Sequence, residues 1–383
     1  MPYRILHLAD IHLDRAFAGI GCYGEVARRR RHGLREALRR AGQAAREHGC
    51  DAVTIAGDLY EHERADLDTG RFLAETFASW APLRVAIAPG NHDPLQPGSL
   101  YARTEWPASV HLFTETSLRP LPLADGLTLW GLAHREPAWS GDPLVCPPVG
   151  DDGGIHLALF HGAELGSRPD GKSLHGPFRA SRIAERGFGL ALCGHYHRRR
   201  IDAASGLVYP GSPEPLTFDE DGDRGPVLVE VREDASVRCE PLALNTWSAM
   251  TVSCDLDGAS SSVVAADAVR ATAELASAGS DRDRLMLRVD LEGEVAPEVA
   301  LDARSLETTV AEASGAAVVQ VRDLTTAGVD VEAAAADRTT RGVFTRAALS
   351  AVEAEADPRE RTLLGDALRY GLQALSGVEV GLR

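Results

Sequence analysis

The sequence predicts an α/β fold with two sheets over residues 1–243, followed by a small α+β unit at 244–330 and a helical tail at 337–383. Three observations carry this. Short apolar runs alternate with helix-period stretches over the first 90 residues, the βαβ layout of a parallel sheet. Each run is followed at once by polar residues of metal-binding type, as at the carboxyl ends of strands in open α/β sheets. Further strand-length runs separated by turn residues then suggest a second sheet packed on the first.

The elements follow in order. Residues 4–8 read as a strand ending at Asp10, and the two-residue offset to His12 lets both side chains leave on one side. His7 lies inside that strand and reads as a hydrogen-bonded packing residue. Residues 25–48 are helical, with Leu34, Ala37, Leu38, Ala41, Ala44 and Ala45 on one face and Arg28, Arg31, Arg35, Arg39 and Arg46 on the other. That basic face is either paired with neighbouring acids or free to contact phosphate. Residues 51–56 form a second strand ending in Gly57-Asp58, 66–78 a helix, and 83–87 a third strand delivering Gly90-Asn91-His92-Asp93. Residues 110–113, 118–121 and 127–132 are short strands assigned to the second sheet. Residues 155–160 deliver His161, and 190–193 deliver Gly194-His195-Tyr196-His197. Arg198-Arg199-Arg200 follows, suited to gripping a nucleic-acid backbone or to pairing with acids, and His175 lies on the loop 166–177 within reach of a substrate.

Residues 226–230 and 237–242 read as strands closing this unit. Beyond them come strands at 247–256, 284–291 and 317–321 and helices at 261–277 and 301–313, with no chemistry-bearing cluster. An Ala-rich stretch at 331–336 reads as a hinge before two amphipathic helices that break at Asp357-Pro358. The rows Phe344, Ala348, Val352 and Leu364, Leu368, Leu372 either dock on the α+β unit or await a partner.

Composition bounds the function. At 383 residues, 44% apolar and 25% charged, the chain has the make-up of a globular protein of more than one unit. No apolar run approaches the ~20 residues of a membrane helix, and Met1-Pro2-Tyr3-Arg4 does not open a signal peptide, so a cytoplasmic protein without membrane contact is expected. Cys22, Cys50, Cys146, Cys193, Cys239 and Cys254 lack CxxC spacing, which argues against a zinc ribbon or a disulfide framework. A net charge of -16 argues against general salt-driven attraction to nucleic acid, though not against a local basic strip. All thirteen histidines lie between His7 and His197, which assigns imidazole chemistry to the first unit.

Seven candidate ligands result: Asp10, His12, Asp58, Asn91, His161, His195 and His197. They exceed the coordination of one ion. Two ions sharing Asp58 would use all seven, with Asp10, His12 and His197 on one side and Asn91, His161 and His195 on the other. Oxygen and imidazole donors without thiolate suit Mn2+, Fe2+ or Zn2+ better than magnesium or calcium.

These five blocks resemble the calcineurin-like metallophosphoesterase superfamily. Ala56-Gly57-Asp58-Leu59-Tyr60, Gly90-Asn91-His92-Asp93 and the tract from Tyr209-Pro210-Gly211-Ser212 to Phe218-Asp219-Glu220 are similar to SbcD-type DNA repair nucleases. The resemblance covers residues 3–240. One departure stands out: many relatives carry His three residues after the aspartate, where this chain has Glu61, with His62 next. The resemblance implies an αββα sandwich with a capping domain and the seven residues as ligands of two divalent ions, Mn2+ foremost. It implies His92 as the catalytic histidine, which can contact the phosphoryl oxygen or protonate the leaving group. It further implies a metal-dependent DNA exo- or endonuclease in break repair, an SbcC-type coiled-coil ATPase as partner, and room for a homodimer. Two other readings compete: a phosphoesterase for a small ester or cyclic nucleotide, and a non-catalytic DNA-end clamp.

Overall fold

The computed structural model describes residues 2–146, 148–149, 153–167, 174–234, 236–296, 299–328 and 331–375. The chain forms two compact units, Met1–Met250 and Thr251–Arg383.

In the first unit the elements are β1 (Tyr3–Leu8), α1 (Gly24–Glu47), β2 (Ala52–Ile55), α2 (Leu67–Ser79), β3 (Arg84–Ile87), α3 (Leu100–Arg103) and β4 (Val110–Leu112). They continue with β5 (Arg119–Ala124), β6 (Leu127–Gly131), β7 (Ile155–His161), α4 (Ser181–Glu185), β8 (Leu190–Gly194), β9 (Arg200–Asp202), β10 (Leu207–Tyr209), β11 (Val227–Val231) and β12 (Val237–Pro241). One sheet has the order β12-β11-β1-β2-β3-β4 and the other β5-β6-β7-β8-β10-β9. Strands β1 to β4 are mutually parallel, as are β6, β7 and β8. Their ends therefore point the same way, and the loops that leave them can converge.

Residue alternation explains the layers. Ile5, Val227, Val229 and Val231 of the first sheet face Leu127, Leu129, Leu157, Leu159, Leu190 and Leu192 of the second, forming the core between them. The intervening residues Ala158, Phe160, Ala191 and Cys193 face outward and pack with Phe178, Ile183 and Phe188. On the first sheet, α1 packs on β1 through the apolar stripe that contains Leu34, Leu38, Ala41 and Ala45. Its basic face is largely paired: Arg35 donates to Asp68 at 2.8 Å, Arg28 bonds Glu25, and Arg39 bonds Glu36. Asp66 caps α2, accepting from the amides of Asp68 and Thr69 at 2.9 and 3.2 Å.

One strand differs from expectation. The run at 110–113 does not join the second sheet; β4 pairs parallel with β3, Ile87 opposite Leu112, at the edge of the first. The short helix α3 lies between them, and such a crossover returns the chain to the same sheet. All six cysteines are free thiols, four of them buried.

The second unit contains β13 (Ser248–Asp255, entering from the first unit), α5 (Ser262–Ser277), β14 (Leu285–Glu292), β15 (Glu294–Val295), α6 (Ala303–Ser314), β16 (Val318–Asp323), β17 (Thr326–Ala327), α7 (Val331–Ala336), α8 (Thr340–Ala354) and α9 (Pro358–Leu375). β14 is the central strand of the sheet β13-β14-β16, buried over seven of its eight residues. The stretch expected as a hinge is the helix α7, consistent with alanine having the highest helix propensity. Asp357 caps α9, accepting from Arg359 N at 2.8 Å, with Pro358 at the first helical position. Leu368 and Leu372 pack with Ala334, Phe344, Ala348 and Leu349, so the two expected apolar rows largely meet each other. Among the described residues no helix is long and apolar enough to cross a membrane.

Candidate metal centre

The seven candidate ligands all lie where parallel strands end. Asp10 and His12 follow β1, Asp58 follows β2, Asn91 follows β3, His161 is the last residue of β7, and His195 and His197 follow β8. Four of them hold backbone conformations that side chains disfavour: φ is 54° at Asp10, 52° at His12, 51° at Asp58 and 114° at His195. Such residues cost on the order of 1–3 kcal/mol each and persist where surrounding contacts enforce them. Here Asp10 N donates to Gly57 O at 3.1 Å and His12 N to Asp58 O at 2.8 Å. The loops also approach closely. A Cβ on Gly57 would lie 2.6 Å from Gly90 Cα, so the Gly57-Asp58 and Gly90-Asn91 turns touch backbone to backbone only because both are glycine.

All seven side chains are brought together. Asp58 Oδ2 lies 3.5 Å from His12 Nε2 and 3.4 Å from His161 Nε2, placing one carboxylate oxygen between two imidazoles. On one side His12 Nε2 is 3.2 Å from His197 Nε2, and Asp10, His12 and His197 form a group whose ligand atoms could hold a cation. On the other, His161 Nε2 is 2.9 Å from Asn91 Oδ1 and 3.3 Å from His195 Nδ1. Asp10 also accepts the His195 amide, at 3.0 and 3.2 Å to its two oxygens, which ties the β1 loop to the β8 loop.

The donor set fits divalent cations. Three imidazoles have their Nδ1 engaged outside the cluster: His12 with Glu61 Oε1 at 2.9 Å, His161 with Ala56 O at 2.9 Å and His197 with Glu220 Oε1 at 2.8 Å. Each Nδ1–H then donates outward, which leaves the Nε2 lone pairs directed inward, the tautomer a ligand needs. Two such nitrogens lie 3.2 Å apart, on His12 and His197, an arrangement that a cation held by both would satisfy. Burial pushes the His161 imidazole down to about 3, so it is neutral and able to ligate. Burial opposes ionisation of Asp58, while positive charge on His161 or His12, when either is protonated, and the hydrogen bond from the His92 amide favour it and hold its carboxyl well below the usual range.

The calcineurin-like phosphoesterase family pattern matches residues 3–199, just over half of the chain. The chain belongs to this family. It is 28% identical over 236 residues to the uncharacterized metallophosphoesterase YhaO of Bacillus subtilis, covering 59% of this chain and 57% of that protein. It is also 28% identical over 280 residues to the DNA double-strand break repair protein Mre11 of Methanopyrus kandleri, covering 64% of this chain and 57% of that one. The chain thus spans a little over half the length of these relatives. Among solved structures, TT1561 of Thermus thermophilus aligns at 16% identity and a TM-score of 0.38 over 63% of this chain and 99% of that one. A dimetal phosphatase from Danio rerio aligns at 14% and 0.36 over 61% and 94%.

In this phosphoesterase, His92 sits at the rim of the cluster with its side chain 43% exposed. Its Nδ1 is 2.9 Å from Glu61 Oε2, and its amide donates to Asp58 Oδ1 at 2.9 Å. Burial disfavours the His92 cation, but the Glu61 hydrogen bond and the Asp58 charge outweigh it and raise the imidazole to about 9. Burial likewise works against an ionised Glu61, yet bonds from His12 and His92 hold its carboxyl well below the usual range. Glu61, the departure noted in the sequence, therefore links a candidate ligand to the candidate catalytic histidine. His62 turns aside to Gln96, at 2.7 Å.

Two further residues were not singled out from sequence. Asp93 is fully buried and accepts from Asp58 N, Gly90 N, Leu59 N and the Tyr101 hydroxyl at 3.0, 2.7, 2.7 and 2.6 Å. It clamps the two glycine turns together. Glu220 backs His197 and also accepts from Ser212 Oγ at 2.6 Å and Leu216 N at 2.9 Å. Its place in the tract 209–220 was the available signal. The arginine triplet divides: Arg199 donates to the carbonyls of Gly225 and Leu242, Arg200 pairs with Glu164 and Asp202, and Arg198 is exposed beside His197. His7 is a packing residue, bonded to Thr54 Oγ1 at 3.0 Å and Cys193 O at 3.3 Å. The His175 ring lies 5.7 Å from that of His195, and residues 168–173 of its loop lie outside the described residues.

Proposed function

We propose that this phosphoesterase is an SbcD-type phosphodiesterase that cleaves DNA at or near ends, using two divalent ions, Mn2+ foremost, held by the seven residues with Asp58 shared. The observation that carries the hydrolytic part is the approach of His12 and His161 to one Asp58 oxygen, at 3.5 and 3.4 Å. DNA as substrate is supported by the 28% identity to a break-repair protein and by the tract 209–220, whose Glu220 backs a candidate ligand. The exposed Arg198 beside His197 offers a charge for a neighbouring phosphate.

Bound in these positions, two cations would neutralise phosphate oxygens and stabilise charge on the attacking and leaving oxygens. The chain supplies the rest. Glu61 holds His92 Nδ1, which leaves Nε2 as the nitrogen available to a substrate at the rim. The hydrogen bond to Glu61 at Nδ1 and the charge of Asp58 favour the imidazolium, so the role proposed for His92 is to donate to a phosphoryl oxygen or to the departing alkoxide. The buried backs of the ligands exclude water from the outward hydrogen bonds and fix each ring.

The test compares labelled linear DNA with bis-p-nitrophenyl phosphate in the presence of Mn2+ or Mg2+. Cleavage of DNA supports the proposal, turnover of the small ester alone points to a small-substrate enzyme, and turnover of neither points to a clamp. An SbcC-type ATPase is the proposed partner, and since the apolar rows of α8 and α9 largely meet each other, the exposed Val343 and Leu363 of those helices are the proposed docking element. Deleting residues 337–383 should leave small-ester hydrolysis nearly intact and abolish co-purification with that ATPase; retained binding would refute the assignment.

A further inference from the structure

We propose that His175 is a second histidine that touches the substrate, donating its Nε2–H to a phosphoryl oxygen on the side of the centre where His161 and His195 lie. The proposal rests on the phosphoesterase reading above, and it needs neither DNA as the substrate nor a partner. His92 serves the other side, its ring 4.8 Å from that of His12 and edge to face. The His175 ring stands 5.7 Å from that of His195, again edge to face. Between these two rings runs a chain of contacts, His12 to Asp58 at 3.5 Å, Asp58 to His161 at 3.4 Å and His161 to His195 at 3.3 Å. The charges of Asp58 and His92 both act on His175, so it lies within the field of the centre. A phosphoryl group placed over Asp58 therefore has a histidine at each flank.

The ring nitrogens set His175 apart from the histidines that only pack. His7 bonds Thr54 and Cys193, and His134 bonds the carbonyl of His161 at 2.8 Å. Among the described residues neither nitrogen of His175 has a hydrogen-bond partner, although Nδ1 is enclosed by protein and Nε2 is not. A buried N–H without an acceptor is tolerated less than a buried lone pair without a donor, so the neutral ring carries its proton on Nε2. The imidazolium carries one there too. Nε2 is a donor in either state.

The backbone that carries this ring is fixed. Ala163 N donates to His175 O at 2.8 Å, Gly176 N to Trp139 O at 2.8 Å and Phe178 N to Ala163 O at 3.1 Å. The stretch also runs against the loop of the candidate ligand His161: a Cβ on Gly162 would lie 2.5 Å from Gly176 O, and one on Gly176 2.9 Å from His161 O. Gly176, at φ 51°, holds the left-handed conformation that this approach requires. A donor held by so many backbone contacts, with one nitrogen enclosed and the other open, is preorganised for a charged oxygen.

The experiment is a calorimetric titration of the Mn2+-loaded full chain with inorganic phosphate, run beside the kinetics of bis-p-nitrophenyl phosphate. His175→Ala should weaken phosphate binding and lower kcat/KM by about 10–100-fold each, the effect of losing one hydrogen bond to a charged group. His175→Gln, whose amide N–H reaches the place of Nε2, should recover most of that loss, and the shorter His175→Asn should not. Bound Mn2+ after gel filtration should match the parent in all three. Circular dichroism identifies variants that fold; if His175→Ala does not, the comparison of Gln with Asn decides. Unchanged phosphate affinity in folded His175→Ala, or a Gln variant no better than Asn, would overturn the proposal. So would loss of Mn2+ from the variants, which would reduce His175 to a support for His195. A parent that neither hydrolyses the ester nor binds phosphate would instead sink the phosphoesterase reading, so the two failures differ.

Discussion

Replacing Asp93 tests how the centre is held together, because this residue touches no candidate cation position yet bonds both loops that do. In Asp93→Ala the amides of Asp58, Leu59 and Gly90 lose their acceptor in a fully buried place. A buried unsatisfied amide costs about 1–3 kcal/mol, and three at the low end amount to about 3 kcal/mol. For a unit of this size each kcal/mol lowers the melting temperature by roughly 2–4 °C, so a fall of about 6–12 °C is expected. Asp93→Asn should cost less. Its oxygen can keep Asp58 N and Gly90 N, but its amide hydrogens then face the Leu59 N–H, at a site where the carboxylate accepted at 2.7 Å. The pH dependence separates charge from geometry. Burial, and next the charge of Asp58, push the Asp93 carboxyl up, so the folded protein holds a proton that the unfolded chain releases. Stability of the parent therefore falls as pH rises from the ordinary carboxylate range through that raised value. The uncharged Asn escapes this loss, and its deficit should shrink between pH 4 and 7. Thermal melts of the metal-free proteins check both statements. A melt of Asp93→Ala within about 2 °C of the parent, or an Asn deficit that grows with pH, would refute the reasoning.

Three other expectations follow from the same geometry. Asp58→Asn should weaken both ions, since one carboxylate serves both, whereas loss of a terminal ligand should weaken chiefly one; metal stoichiometry after gel filtration distinguishes them, and two ions retained with full activity would remove Asp58 from the shared position. His92→Gln should lower turnover by roughly 10² to 10⁴ with metal content near the parent, the span expected of a proton donor, and loss of metal along with activity would make His92 structural. His7 and His134 are buried and neutral, each held at about 4 chiefly by burial, while the unfolded chain titrates near 6.5. The unfolded state binds more protons in that window, so stability should be lost as pH falls from 6.5 toward 4, by roughly 3 kcal/mol at most for each histidine. Urea midpoints at pH 7 and pH 5 check this, and His7→Gln should show a smaller drop than the parent.

The strands and the positions of the seven candidate ligands were legible in the sequence because local rules fix them. A buried parallel strand must be an apolar run, and in an α/β sheet the chemistry must follow it directly, so Asp10, Asp58, Asn91, His161 and His195 each announce themselves one to four residues past such a run. Helix stop signals were equally local, as at Asp357-Pro358. Edge placement was not, because β4 has too few residues to carry a pattern, and its sheet is chosen by the crossover that precedes it. The helix α7 shows the same limit, since an alanine run is compatible with a hinge until neighbours pack on it, as Phe344 and Leu372 do around Ala334.

What the sequence alone determined, then, was which residue types reach the carboxyl ends of the strands. Which of them are backed by carboxylates was decided only in three dimensions. Glu61 meets His12 across 49 residues and Glu220 meets His197 across 23, while Asp93 binds amides 34 and 35 residues away. No period or spacing rule reaches across such separations. These contacts exist because two sheets pack face to face and bring loops from opposite layers to one rim.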